Sequence, residues 1–383
     1  MKNNSKPVLV IFYDHFYPAY KAGGPIQSLI NLIQILHVEY KIFVFTSAFD
    51  LNESTMLKGI QTDVWDKIKL PLIDEEISVW YAGKGKMLKT DVQKSISMAD
   101  PDFIYLNGMF SYRFVLIPLL CIKKIKIVIC PRGMLQKGAL AGKKIKKKIY
   151  LNFLKISGLC KKVIWHATNE EEGNDIKKYF GKNATIVTVG NIPKKPVNEV
   201  KYKLKNVGEV NLIYLSLISE KKNLLQVIDI ISKLNEKISL DIYGPIKDKI
   251  YWEKCQKLIN KSNGKVVFKG DVVSEKVQEL FSKYHALILL TKGENFGHAL
   301  YECLSVGRPI ITSYFTPWND LINKKAGWNV DISNSESIER TLISLKNMEQ
   351  SSYDLFCNGA YLLANEYFNN GFDILNYKKI FVK

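Results

Sequence analysis

Short apolar runs alternate with stretches of helical periodicity along almost the whole chain, and the pattern stops once and then starts again. In the first half the runs are Val8–Tyr13, Ile42–Thr46, Phe103–Asn107, Lys126–Pro131, Val163–Ala167 and Thr185–Val189. Such runs suit strands of a parallel sheet that is covered on both faces. Between them the apolar spacing turns helical, as with Ile26, Leu29, Ile30, Ile33 and Leu36 after the Gly23-Gly24-Pro25 turn. Residues 50–100 break the rhythm and leave room for an insertion or a short hairpin. Residues 191–208, with Pro193 and Pro196 before a Lys-rich polar stretch, lack periodicity and read as a linker. Strand runs Leu212–Ser216, Leu240–Tyr243, Val266–Lys269, Ala286–Thr291 and Pro309–Ser313 follow. They alternate with helices from Lys222, over 248–261, 274–283 and 298–306, and after 334.

The expected fold is therefore α/β, with two Rossmann-like doubly wound domains facing each other across a cleft. A length of 383 residues fits two such cores. The expected boundaries are 1–195 for the first domain and 205–364 for the second, with a C-terminal helix at about 365–383 packing back on the first.

Several classes are excluded. The six cysteines are scattered without CxxC or Cys/His ligand spacing, so they read as reduced, buried residues of a cytoplasmic protein. The longest apolar stretch, Phe114–Ile122, contains Pro118 and falls short of the ~20 residues a spanning helix needs. No GxGxxG follows a strand and no GxxxxGK[ST] exists, which argues against a nicotinamide enzyme and a P-loop ATPase. Asp100-Pro101-Asp102 reads as a turn before a strand rather than a metal site, and no metal or resident cofactor is expected.

The segment richest in chemistry is Thr291-Lys292-Gly293-Glu294-Asn295-Phe296-Gly297-His298-Ala299-Leu300-Tyr301-Glu302. A buried strand ends, a Gly-containing loop turns, and a helix begins near Gly297. Carboxyl ends of parallel strands are where open α/β sheets bind ligands, and a helix start there suits a phosphate. Glu294 precedes those amides, while Glu302 points back toward them from within the helix. Two carboxylates beside an anion site suit the sugar and ribose hydroxyls flanking a diphosphate. The plainer alternative is two solvated glutamates around a glycine turn.

Glu294 and Glu302 form Glu-x7-Glu, and with Phe296-Gly297 between them the segment resembles the retaining GT-B glycosyltransferases of family 4. Gly23-Gly24-Pro25, Pro131-Arg132-Gly133-Met134, His166-Ala167-Thr168 with Glu170-Glu171, and Thr316-Pro317-Trp318 fall in the order typical of that family's capsule, O-antigen and exopolysaccharide enzymes. The resemblance implies a nucleotide-sugar donor, UDP- or GDP-linked, and a saccharide or polyprenyl-diphosphate-linked acceptor. It places Glu294 on hydroxyls of the transferred sugar, and Asn295, Phe296, Gly297, His298 and Ala299 around the sugar and diphosphate. Glu302 falls to the ribose, Lys222 to the diphosphate, and Gly244 and the Gly270-Asp271-Val272 turn to the base. Gly23 and Gly24 approach the phosphates from the first domain.

Two departures stand out. The family arginine expected five residues before the lysine is Leu217 here, and the family histidine after the fourth strand is replaced by Pro131-Arg132. Arg132 is therefore a candidate catalytic cation beside Lys222 and Glu294; the alternative is a brace for its own loop. His166 and His285 read as core, His37 as surface, and His15 as a weak acceptor-side candidate.

The net charge of +18 rests almost wholly on lysine, since only Arg113, Arg132, Arg308 and Arg340 are arginine. Between Lys143 and Lys162 stand Lys143, Lys144, Lys146, Lys147, Lys148, Lys155, Lys161 and Lys162 with no acidic residue. Ile145, Ile149, Tyr150, Phe153, Leu154 and Ile156 interleave at helical spacing. Such a helix suits the inner face of an anionic membrane; its alternative buries the apolar stripe in its own domain. Two other functions compete with the transferase. A nucleotide-sugar epimerase of the same fold acts on the donor alone. A basic nucleic-acid-binding protein needs a recognition module or aromatic platform that the sequence lacks, so no nucleic acid is expected.

Overall fold

The structure is a computed structural model and describes residues 6–71, 73–83, 89–141, 144–372 and 374–381. The chain divides into two compact units, Met1–Ile192 with Phe372–Lys383, and Pro193–Gly371.

The first unit is built on β1 (Val8–Phe12), β2 (Lys41–Ser47), β3 (Asp66–Lys69), β4 (Glu76–Ala82), β5 (Phe103–Asn107), β6 (Lys126–Cys130), β7 (Ile164–Ala167) and β8 (Thr185–Thr188). They form one sheet in the order β3-β4-β2-β1-β5-β6-β7-β8. Every pairing is parallel except that of β3 with β4. Strand β1 shows why its run is apolar at consecutive positions. Leu9 and Ile11 pack into one core, Val10 and Phe12 into another on the opposite face. The ambiguous stretch 50–100 contains the β3–β4 hairpin, whose edge strand Asp66-Lys67-Ile68-Lys69 is polar and half exposed. A charged edge of this sort resists pairing with other chains. The terminal helix Ile374–Ile380 brings Tyr377, Ile380 and Phe381 onto the first unit's core. The helix before it, Gln350–Asn370, runs past residue 364 and belongs to the second unit.

The second unit contains β9 (Glu209–Leu215), β10 (Lys237–Tyr243), β11 (Val266–Phe268), β12 (Ala286–Leu289), β13 (Ile310–Ser313) and β14 (Gly327–Val330). Their order is β11-β10-β9-β12-β13-β14, parallel throughout. The order reverses between β9 and β12, which is the switch point of a doubly wound sheet. Strand β14 is absent from the sequence reading. It packs so tightly that a Cβ on Gly327 would lie 2.0 Å from the Ile310 carbonyl oxygen. Residues 193–208 hold no regular element, yet they are tied down. The Val197 amide donates to Ser305, and the buried Arg308 guanidinium donates to the Lys201 carbonyl.

Candidate active site

At the switch point the carboxyl ends of β9 and β12 lie side by side. After β9 the chain enters a 3-10 turn, Glu220–Lys222, which closes at Asn223 in the left-handed region (φ 57°). After β12 the Lys292 amide donates to the Lys221 carbonyl at 2.8 Å. The Thr291 hydroxyl reaches the same carbonyl at 3.4 Å. The loop after β13 adds a third support, the Glu294 amide donating to Phe315 at 2.9 Å. Three loops thus form one backbone frame.

That frame brings Lys222 and Glu294 into a direct hydrogen-bonded ion pair, Nζ to Oε1. The side chains are only 18% and 11% exposed, so the pair is partly shielded from solvent screening. Their separate assignments from the sequence carry no hint that each is the other's partner.

Glu302 follows in the helix His298–Leu304 and is buried. Among the described residues its Oε2 has no hydrogen-bond partner. Burial pushes its carboxyl up to about 7, against the lowering influence of Lys194. An ionised carboxylate in that position calls for donors, and hydroxyl groups are neutral ones.

The loop between the two glutamates is anchored by its aromatic ring. Phe296 is buried, its carbonyl accepts the Trp318 indole N–H at 2.6 Å, and its ring clusters with Tyr301, Trp318 and Tyr367 at 5.2–5.9 Å between centroids. Phe296 therefore positions the loop through packing. Gly297 is left-handed (φ 80°) and no side chain caps the helix after it. Asn295, His298 and Ala299 are half-buried beside it. His298 sets its ring against Phe296 at 4.8 Å.

Gly244, expected near the base, has a packing role. Its φ is 134°, and a Cβ there would lie 1.9 Å from the Ser216 carbonyl oxygen. Val272 is half-buried in the loop after β11 and packs on the unit's core.

One residue escaped the sequence reading. Lys247 lies in the loop after β10, where its amide donates to the Ile218 carbonyl at 3.1 Å, so its backbone abuts the segment leading to Lys222. Burial, with the Lys222 charge beside it, holds its ammonium below the usual lysine range. The site therefore has a second cation, although Leu217 occupies the arginine position. Backbone hydrogen bonds around the parallel bridge of Ile218 with Ile246 bring these loops together, and no motif announces it.

In the first unit Arg132 (φ 55°) donates Nε to Asn107 at 2.7 Å, Nη2 to the Tyr105 hydroxyl at 3.2 Å, and Nη1 to Asn191. Glu172 holds the next residue, accepting from the Gly133 amide at 2.5 Å. These are bonds a brace would make, which is the alternative reading of this arginine. Gly23 caps the helix Gly24–Leu36 with φ 69°, which favours glycine, and a Cβ there would meet nothing within 4 Å. His15 donates Nδ1 to the Phe49 carbonyl at 3.1 Å. His166 and His285 are buried and hydrogen-bonded, and burial pushes them down to about 3 and about 4, so they stay neutral core residues. Asp102 accepts from the Val8 amide at 2.9 Å, in keeping with a turn.

A surface depression lined by Glu209, Glu236, Lys237 and Lys265 lies at the amino ends of β9, β10 and β11, the end such sheets do not use for ligands.

Residues 198–359 match the family model described as Glycosyl transferases group 1. The match falls within the second unit. The matched stretch contains Lys222, Lys247, Glu294 and Glu302. No curated protein matches the sequence. Among solved structures the chain is similar to sucrose-phosphate synthase from Thermosynechococcus elongatus, at 13% identity, covering 98% of this chain and 96% of that one, with a TM-score of 0.72. It is similar to Anabaena Alr3699/HepE in complex with UDP and glucose, at 13% identity, 98% of each chain and a TM-score of 0.71. It is also similar to WaaG, a glycosyltransferase involved in lipopolysaccharide biosynthesis, at 15% identity, 97% and 98% coverage and a TM-score of 0.62. Likeness over nearly the whole chain establishes the two-domain α/β fold of the GT-B glycosyltransferases. Among the described residues no helix is long and apolar enough to cross a membrane.

Proposed function

We propose that this chain is a retaining family 4 glycosyltransferase of bacterial surface polysaccharide synthesis. It moves a sugar from a nucleotide-diphosphate sugar to a saccharide or lipid-linked saccharide. The observation that carries the reading is the Lys222–Glu294 pair at the switch point, with the buried Glu302 carboxylate, whose Oε2 has no hydrogen-bond partner among the described residues, one helix turn beyond the same loop. A diphosphate beside Lys222 and Lys247 meets two ammonium groups, the sugar hydroxyls donate to Glu294, and the ribose hydroxyls donate to Glu302. Structures of HepE with UDP and glucose make a UDP-linked hexose the first donor to try. The WaaG likeness supports a cell-surface saccharide as product.

The acceptor hydroxyl oxygen bonds to the anomeric carbon on the face from which the diphosphate departs. As the carbon–oxygen bond to the diphosphate breaks, its electron pair stays with the phosphate oxygen, which takes the hydroxyl proton. Configuration is retained without an enzyme nucleophile. Lys222 and Lys247 stabilise the charge that develops on the leaving group, a task a metal ion performs elsewhere. The first unit binds the acceptor, at the inner face of the plasma membrane where polyprenyl-diphosphate carriers reside. A thermal-shift screen of UDP-, GDP- and ADP-sugars tests the reading. One donor at 100 times its Kd adds ~2.7 kcal/mol of stability, and no shift with any of them refutes it. An epimerase consumes or isomerises that donor without acceptor; the transferase needs one.

A further inference from the structure

The helix Lys144–Ile156 carries two apolar stripes, and only one of them is used by the fold. Leu151 and Leu154 are buried, with Lys147 and Tyr150 half-buried beside them. Ile145, Ile149, Phe153 and Ile156 are 76%, 64%, 44% and 85% exposed. At about 100° per residue these four fall within roughly 80° of one another, on the side opposite the buried set. The alternative of an apolar stripe tucked into its own domain therefore accounts for Leu151 and Leu154 but not for the isoleucines.

The lysines around the exposed stripe are arranged unevenly. Lys144, Lys148 and Lys155 line one flank, Lys146 the other, and all four are exposed. Lys147 behaves differently. Its ammonium donates to the Ala139 carbonyl at 2.5 Å and sits 5.1 Å from the Phe110 ring, so it fastens the helix to its own unit. Lys143 lies outside the described residues. An apolar ridge edged by cations is unfavourable in water and complementary to a surface with anionic headgroups over hydrocarbon.

We propose that this ridge docks the first unit onto an anionic lipid bilayer, with Ile145, Ile149, Phe153 and Ile156 entering the headgroup–acyl boundary and Lys144, Lys146, Lys148 and Lys155 meeting lipid phosphates. The docking rests on the proposed lipid-linked acceptor for its purpose, while its residues lie wholly outside the donor site. Acceptor capture then becomes a search in two dimensions along the membrane.

Vesicle cosedimentation tests the proposal. The full chain partitions onto phosphatidylglycerol-containing vesicles, more weakly as salt rises, and not onto phosphatidylcholine alone. Each lysine is worth about fivefold in partitioning, so the triple variant Lys144→Gln, Lys148→Gln, Lys155→Gln loses roughly 100-fold. Ile149→Asn with Ile156→Asn removes the salt-resistant part of binding. Both variants replace exposed groups, so they keep the wild-type melting temperature and the same thermal shift with nucleotide sugar. Equal partitioning on both vesicle types, or a triple variant that binds like wild type, overturns the docking and leaves the donor site untouched. Self-association abolished by the isoleucine variant, without vesicle binding, assigns the ridge to a second copy instead and equally overturns it.

Discussion

Replacing Glu302 by glutamine gives a pH-dependent change in stability whose sign and size follow from its burial. The carboxyl titrates at about 7 in the folded protein against 4.5 for the free side chain, because burial disfavours its charge. Between those values the native state holds a proton that the unfolded chain has lost. Stability of the wild type therefore falls as pH rises from 4.5 toward 7, and this contribution is flat above. The interval of 2.5 units corresponds to about 3 kcal/mol, of which roughly 2–3 kcal/mol is lost between pH 5 and pH 8. Glu302→Gln has no such titration. Its stability relative to wild type therefore increases by that amount over the same interval, or about 5–10 °C in the second unit's melting temperature. Calorimetric or fluorescence melts of both proteins at pH 5, 6, 7 and 8, without nucleotide, measure the difference directly, and every other titrating group cancels. A difference that stays constant across the four pH values refutes the claim that burial raises the Glu302 carboxyl.

The other predictions concern single contacts. Lys222→Ala lowers kcat by about 10²–10³, the usual cost of one electrostatic stabiliser, and Lys247→Ala by a smaller factor; steady-state assays with the selected donor check both. Gly244→Ala drives a Cβ into the Ser216 carbonyl and destabilises by at least about 3 kcal/mol in urea unfolding. Arg132→Ala strips partners from Asn107, Asn191 and Tyr105 and costs roughly 3 kcal/mol in the same assay. Turnover per folded molecule stays near wild type, and a hundredfold loss would return Arg132 to the chemistry.

What was legible in the sequence follows from how local each signal is. Strand β5 was read to the residue because Phe103–Asn107 is apolar and bounded by Asp102 and Gly108. Strand β14 was missed because Gly327-Trp328-Asn329-Val330 is short and opens on a glycine, whose reason is an approach to Ile310 that no local pattern encodes. Glu294 and Glu302 are candidates because of a spacing within one loop and helix. Lys247 was missed, since a parallel bridge between distant loops brings it beside the Lys222 segment. Arg132 drew notice as one of four arginines, but scarcity signals a need for the guanidinium and does not say for what. In the basic helix both stripes have helical spacing, so periodicity alone could not choose the one facing inward.

Calorimetric titration of the donor picked out by thermal shift, into wild type and into Lys222→Ala and Glu302→Gln, bears most directly on the proposed pyrophosphate-and-ribose site. Saturable one-site binding by wild type, weakened at least tenfold by either substitution, is the expected result. The same Kd for all three proteins would place the nucleotide elsewhere and contradict the account.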